Sequence, residues 1–245
     1  MKPSMDESGR AAQMTPLTKA RLGGACWLMC FLTSLFPLIV SGRIVVPGDA
    51  AATAANLLAH EGLFRLGTAA LLLSTAFYIG ATLFVYEVLK PVNRSISLLA
   101  AFFSLVGCAV GAVTCVFDLV PFVLLKGGSY GTVFTTEQLQ ALASAFLAVR
   151  VQANDIGLVF FGLHCAGVGY LMVKSTFLPR VVGGLMLFAG LRWLTFLFPP
   201  LAQTLAPFNM LPGAIGELSL TLWLLIKGVN VPRWQAQAAV AMQTS

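Results

Sequence analysis

The sequence predicts an all-α polytopic membrane protein with about six transmembrane helices and two short helices on its outer face. Three observations lead to this prediction: long apolar runs separated by short polar turns, a hydrophobic content of 58%, and a charged content of only 10%. A soluble domain carries about 25% charged residues. About 20 apolar residues cross a hydrocarbon core roughly 30 Å thick. Six such runs use nearly the whole chain, so we expect one domain.

The apolar runs give approximate limits for the spans, which we place at about 22–41, 63–88, 96–124, 152–173, 180–198 and 211–228. The predicted membrane domain covers residues 19–229. We expect a disordered cytoplasmic tail before it, at 1–18, and a cytoplasmic tail after it, at 230–245. The first run is about 20 residues long, which exceeds the apolar core of a signal peptide, so we expect it to remain as a span.

Two connections on the outer side contain signals for helices of their own. Asp49 follows the turn residues Pro47 and Gly48, and it is a good N-cap for the Ala-rich stretch that ends at Ala59. Thr135 with Gln138 has the spacing of a capping box, which predicts a second outer helix from Thr136 to Arg150.

The distribution of Lys and Arg predicts the orientation of the chain. With the N-terminus inside, ten of the fifteen basic residues lie on the cytoplasmic side. These ten are Lys2, Arg10, Lys19, Arg21, Lys90, Arg94, Lys174, Arg180, Lys227 and Arg233. This bias follows the positive-inside rule and puts both termini in the cytoplasm. It also accounts for the net charge of +6, and no basic run with interleaved aromatics indicates nucleic-acid binding.

Ionisable residues within the spans are the candidates for a functional site. A charge in hydrocarbon costs at least roughly 2.5–3.5 kcal/mol, so such residues usually form pairs or face a cavity. The candidates are Glu61, Arg65, Asp155, His164, Arg192 and Glu217. The direction of each span brings them to the outer half of the bundle, where they would line a polar pocket that opens outward. The structural alternative is a set of buried ion pairs, such as Arg192–Glu217 and Arg65–Asp155. Glu61 and Arg65, at positions i and i+4, share a helix face and could also pair with each other.

His164 has two interpretations. It is either a neutral imidazole that donates to a backbone or hydroxyl oxygen, or a proton relay or ligand contact near the middle of the membrane. The chain has only two histidines and no metal-binding spacing of His, so we expect no metal and no cofactor. The five cysteines lie in apolar runs without a CxxC motif and are expected to be packing residues. No nucleophile elbow, P-loop or dinucleotide fingerprint is present.

Several segments together resemble a bacterial family of multi-pass membrane proteins known as domain of unknown function 4386. The matching stretches are Gly42–Ala50, Glu61–Gly67, Tyr86–Asn93, Asp155–Cys165, Leu178–Arg180 and Ile215–Glu217. The resemblance implies a bacterial inner-membrane protein and supplies no activity. It also implies that seven charged or polar residues belong to recurring motifs: Arg43, Asp49, Glu61, Arg65, Asp155, His164 and Glu217.

Three functional hypotheses remain open at this stage. In the first, the bundle binds a small molecule, a lipid or an ion in its outward-facing pocket, for transport or sensing. In the second, it is an intramembrane enzyme that uses His164 with Asp155 or Glu217 as acid and base, which requires these groups to be within hydrogen-bond reach. In the third, it is a structural or partner-binding subunit with all charges paired and no cavity of ligand size. The lipid bilayer is the expected partner, and six spans are compatible with a homodimer.

Overall fold

The computed structural model describes residues 14–205, 208 and 210–243, and every regular element in that part of the chain is helical. The α-helices are α1 Pro16–Ile44, α2 Ala50–Ala59, α3 Glu61–Leu89, α4 Arg94–Leu125, α5 Thr136–Lys174, α6 Arg180–Trp193, α7 Pro199–Thr204, α8 Met210–Ile226 and α9 Val231–Gln243. Short 3-10 turns follow α4, at Gly128–Thr132, and α6, at Leu194–Leu197.

Five of these helices are long and apolar enough to cross a membrane: α1, α3, α4, α5, and α6 with its 3-10 turn. Helices α8 and α9 together make the sixth candidate, with a bend of 104° between them. The predicted all-α polytopic membrane fold is therefore confirmed.

The predicted helix caps are formed. The Asp49 side chain accepts a hydrogen bond from the amide of Ala52 at 2.8 Å, so α2 begins where the sequence indicates. Thr135 and Gln138 form the predicted capping box at the start of α5. Each cap satisfies amide groups that a helix N-terminus leaves without an intrahelical partner.

The second outer helix is not a separate element, and that prediction was wrong. Helix α5 runs without a break for 39 residues, from the capping box to Lys174. At 1.5 Å per residue it is roughly 58 Å long, about twice the thickness of a hydrocarbon core. The segment between Arg150 and Gly157 is polar but has no Pro or Gly, so nothing in it ends a helix.

The two predicted tails are partly helical. Helix α1 already begins at Pro16, and residues 1–13 lie outside the described part of the chain. The C-terminal segment contains α9, which docks on the bundle: Trp234 Nε1 donates to the carbonyl of Val88 at 2.8 Å. Gln237 Oε1 accepts from the amide of Thr176 at 3.0 Å. Helix α9 therefore contacts both α3 and the turn between α5 and α6.

The six long helices form a closed ring in chain order. Helix α1 packs on α3, α3 on α4, α4 on α5, α5 on α6 and α6 on α8, and α8 returns to pack on α1. The approach of α5 and α6 is very close: a Cβ at Gly190 would lie 2.6 Å from the Ala166 amide nitrogen. Small residues allow such contacts between membrane helices. This ring encloses the site described next.

Candidate functional site

A cavity of about 300 Å³ lies inside the ring and is lined by all six of its helices. Each helix contributes at least one lining residue. In chain order, examples from the six helices are Phe31, Tyr78, Gly107, Phe161, Trp193 and Glu217. Asn154, which is exposed, borders the cavity on the side of the predicted outer face. Most of the lining is apolar, and Glu217 is the acidic group in it.

Glu217 is held by neutral donors. Its Oε1 accepts from Trp193 Nε1 at 3.1 Å, and its Oε2 accepts from Trp27 Nε1 at 3.3 Å. The Cys165 thiol lies 3.9 Å from Oε1 as a weaker third donor. The residue is only 8% exposed. Among the described residues, no Lys, Arg or His nitrogen lies within 4.0 Å of this carboxylate.

Close packing of α8 puts Glu217 between these two tryptophans. At Gly216 a Cβ would lie 2.7 Å from the carbonyl oxygen of Leu185, so α8 can rest against the α6 backbone only with glycine there. Helix α8 also packs on α1, which carries Trp27. Glu217 therefore accepts from an indole on each side, one from α6 and one from α1.

Aromatic rings form much of the wall near the carboxylate. Tyr78 packs edge-on against Phe161, with ring centroids 4.7 Å apart, and against Trp27 at 5.4 Å. Its hydroxyl is buried and has no hydrogen-bond partner among the described residues. A buried hydroxyl without a partner is uncommon, because leaving it unsatisfied costs free energy.

His164 lies behind this wall and not in it. Its Nδ1 is 2.9 Å from the carbonyl oxygen of Ala100, and a carbonyl only accepts, so Nδ1 carries the hydrogen. Its Nε2 has no hydrogen-bond partner in the described part of the chain. Neither Asp155 nor Glu217 is hydrogen-bonded to the imidazole, so the acid–base arrangement required by the enzyme hypothesis is not formed.

The other predicted site residues lie away from the cavity. Glu61 and Arg65 pair at 2.8 Å, and Lys126 joins them, with its Nζ 2.8 Å from the Glu61 carboxylate. The Arg65 and Lys126 side chains are about half exposed, and Glu61 is partly buried between them. Asp155 is half-buried and forms no ion pair with a described residue. Arg192 Nη2 donates to the carbonyl of Leu205 at 3.1 Å.

The ion pairs of the structural alternative, Arg192–Glu217 and Arg65–Asp155, are therefore not formed among the described residues. Consecutive residues on an α-helix point about 100° apart. Trp193, one position after Arg192, is the residue that faces Glu217. Arg65 is within reach of Glu61 on its own helix. Of the six predicted residues, Glu217 alone borders the cavity.

One ion pair inside the bundle was not anticipated from the sequence. Asp118 on α4 and Arg150 on α5 approach to 2.7 Å, and the Asp118 side chain is 2% exposed. Thr68 on α3 donates to the same carboxylate at 3.1 Å. The sequence contained a usable signal, because Asp118 is the one charged residue in the apolar run 96–124. The aromatic wall had no comparable signal, since aromatic residues are common in membrane spans.

No group of three or more His, Cys, Asp or Glu side chains in the described residues is arranged to hold a metal ion. The cavity is lined by one carboxylate, from Glu217, by the polar residues Ser74, Thr75 and Asn154, and by several aromatic side chains.

Comparison with known proteins agrees with the sequence resemblance. The family model described as Domain of unknown function (DUF4386) matches residues 22–228. An uncharacterized protein of Archaeoglobus fulgidus is 26% identical over 148 residues, which cover 59% of this chain and 72% of the relative. No solved structure matches. Since the family match spans the whole helical ring, from α1 to the end of α8, the chain belongs to this family of unknown function.

Proposed function

We propose that this protein binds a small molecule in the central cavity, as a step in transport or sensing. The observation that supports this most is the cavity itself, about 300 Å³ and lined by all six helices of the ring. Protein interiors are close-packed, and voids larger than a water molecule are few. Ligand sites occupy roughly 300–1,000 Å³ and are mainly apolar with a few polar groups. The cavity is at the lower end of that range and has that composition.

The other two hypotheses have less support. A purely structural subunit was expected to have all charges paired and no cavity of ligand size, and the buried Glu217 has no cationic partner among the described residues. An enzyme based on His164 would need a carboxylate hydrogen-bonded to the imidazole. Nδ1 of His164 instead donates to the carbonyl oxygen of Ala100.

The basic residues support an orientation for the proposed site. The bias of Lys and Arg argues for cytoplasmic termini, and the family resemblance implies a bacterial inner membrane. In that orientation, the side of the cavity bordered by Asn154 faces outward. A cysteine at Asn154 should react with an impermeant maleimide added to whole cells.

Filling the cavity tests the proposal. Gly111 borders the cavity, and a Cβ there would meet no atom within 4 Å, so Gly111→Leu would occupy open space. Ala214→Leu fills the cavity from α8. The matched control is Gly184→Leu, since Gly184 on α6 is also open but does not border the cavity.

The measurement is the thermal stability of the purified protein with three aromatic probes of different charge: phenyltrimethylammonium, benzyl alcohol and benzoate. We expect at least one probe to raise the Tm of the wild type and of Gly184→Leu in a saturable way. The same probe should have little effect on Gly111→Leu and Ala214→Leu. If no probe separates the wild type from the filled variants, the cavity is not a binding site.

A further inference from the structure

We propose that the ligand of the central cavity is an organic ammonium ion, with its positive head against Glu217 and an apolar group against the aromatic wall. This inference rests on the proposed function and adds the chemical class of the ligand.

Neutral N–H donors contact both oxygens of Glu217, an arrangement that can stabilise the ionised form of the carboxyl group. Trp27 and Trp193 present N–H groups to different oxygens, and an indole N–H is a donor only. A protonated carboxylic acid would need an acceptor for its own hydrogen, and neither indole can supply one. Two fixed donors on two oxygens are the arrangement that suits a carboxylate.

An ionised carboxylate at this depth needs a cation. Burying a charge without a partner is costly, and the cost falls when an opposite charge is close. The described residues supply no such charge within 4.0 Å of Glu217. Arg192, the nearest arginine along α6, instead donates to the Leu205 carbonyl. The cavity is the open side of Glu217, so a ligand is the source of the missing positive charge.

The aromatic wall favours an organic cation over a metal ion. Phe31, Tyr78, Phe161 and Trp193 border the same cavity as the carboxylate. A cation over an aromatic face gains about 0.5–2 kcal/mol. Hard metal cations take six or more oxygen ligands. Glu217 is the one carboxylate in a lining that is mainly apolar and aromatic, so the cavity offers few such ligands.

The volume limits the size of the apolar part. An apolar cavity of about 150 Å³ holds a benzene molecule. The 300 Å³ cavity therefore has room for an ammonium head and an apolar group somewhat larger than a benzene ring. Phenyltrimethylammonium satisfies both conditions, and tert-butylbenzene is a neutral probe of the same shape and heavy-atom count.

The test compares the affinity of these two probes for the full chain in lipid nanodiscs. Tryptophan fluorescence is a suitable signal, because Trp27 and Trp193 both bond Glu217. We expect phenyltrimethylammonium to bind the wild type about tenfold or more tightly than tert-butylbenzene, which corresponds to about 1.4 kcal/mol. Glu217→Gln should remove this preference. The matched control, Asp155→Asn, removes a carboxylate from α5 outside the cavity and should preserve it.

The outcomes separate this inference from the proposal on which it rests. If both probes bind the wild type equally and Gly111→Leu blocks both, the cavity is a binding site but not one for cations. If neither probe binds in a saturable way, the proposed function itself fails. Competition by salts identifies the kind of cation that the site prefers. If sodium chloride displaces phenyltrimethylammonium from the wild type while choline chloride, which supplies an organic ammonium ion, does not at equal ionic strength, the site holds an inorganic ion and the inference is overturned. The wild-type comparison decides the question even if Glu217→Gln does not fold.

Discussion

Breaking the buried pair between Asp118 and Arg150 should destabilise the bundle more than breaking any exposed pair. The two charges are 2.7 Å apart, and the side chains are 2% and 22% exposed for Asp118 and Arg150 respectively. At an effective dielectric constant of about 20, charges at that distance attract by about 6 kcal/mol, which is an upper bound. Removal of one partner from a buried pair typically costs about 3–5 kcal/mol, because the other charge is left unpaired. Since water reaches Arg150 in part, we expect about 3 kcal/mol for Arg150→Met.

The measurement is the free energy of unfolding in mixed micelles, from a titration with sodium dodecyl sulfate. Lys126→Met is the control, since Lys126 pairs with Glu61 at a similar distance of 2.8 Å but is 54% exposed. Water and salt screen that pair, so its loss should have a much smaller effect. The double variant Asp118→Asn with Arg150→Met should recover most of the stability, because it removes both charges.

One result would refute this reasoning. If Arg150→Met lost no more stability than Lys126→Met, the pair would not be a buried contact between α4 and α5. A double variant less stable than Arg150→Met alone would also contradict it, since the unpaired carboxylate would then not be the source of the cost.

Two further predictions concern packing. Gly190→Ala should destabilise the protein by about 1–3 kcal/mol, because the new Cβ would lie 2.6 Å from the Ala166 amide nitrogen. Gly184→Ala is the control: its Cβ would meet open space, so the variant should be as stable as the wild type or slightly more stable. Thermal melts of the two variants measure the difference. Trp234→Phe removes the donor to the Val88 carbonyl and should weaken the docking of α9 by about 1 kcal/mol. Amide hydrogen exchange should become faster in α9 and stay unchanged in α4, which serves as the internal control.

The helices and their ends were predictable from the sequence because their causes are local. Apolar runs of membrane length indicate the spans, and Asp49 and Thr135 indicate where helices begin. The continuity of α5 was not anticipated because we expected one helix up to Arg150 and a separate span from about residue 152. A polar segment without Pro or Gly remains helical, since helix geometry depends on the backbone and not on the polarity of the environment.

The site was only partly predictable because an apolar pattern gives the depth of a residue and not its rotational position. Glu217 was identified as a candidate from its depth, and it does border the cavity. The partner of Glu217 depends on whether Arg192 or Trp193 points toward it, and these consecutive helix residues point about 100° apart. The cavity volume depends on how side chains from six helices fill one space, and no single segment contains that information.

A structure of the protein in lipid nanodiscs, with side chains resolved, would test the central claim most directly. We expect an open cavity of about 300 Å³ within the ring, with water or ligand density beside the Glu217 carboxylate and both indole N–H groups bonded to it. A ring closed without a cavity, with Glu217 paired to Arg192, would contradict it and assign the embedded charges to structure alone.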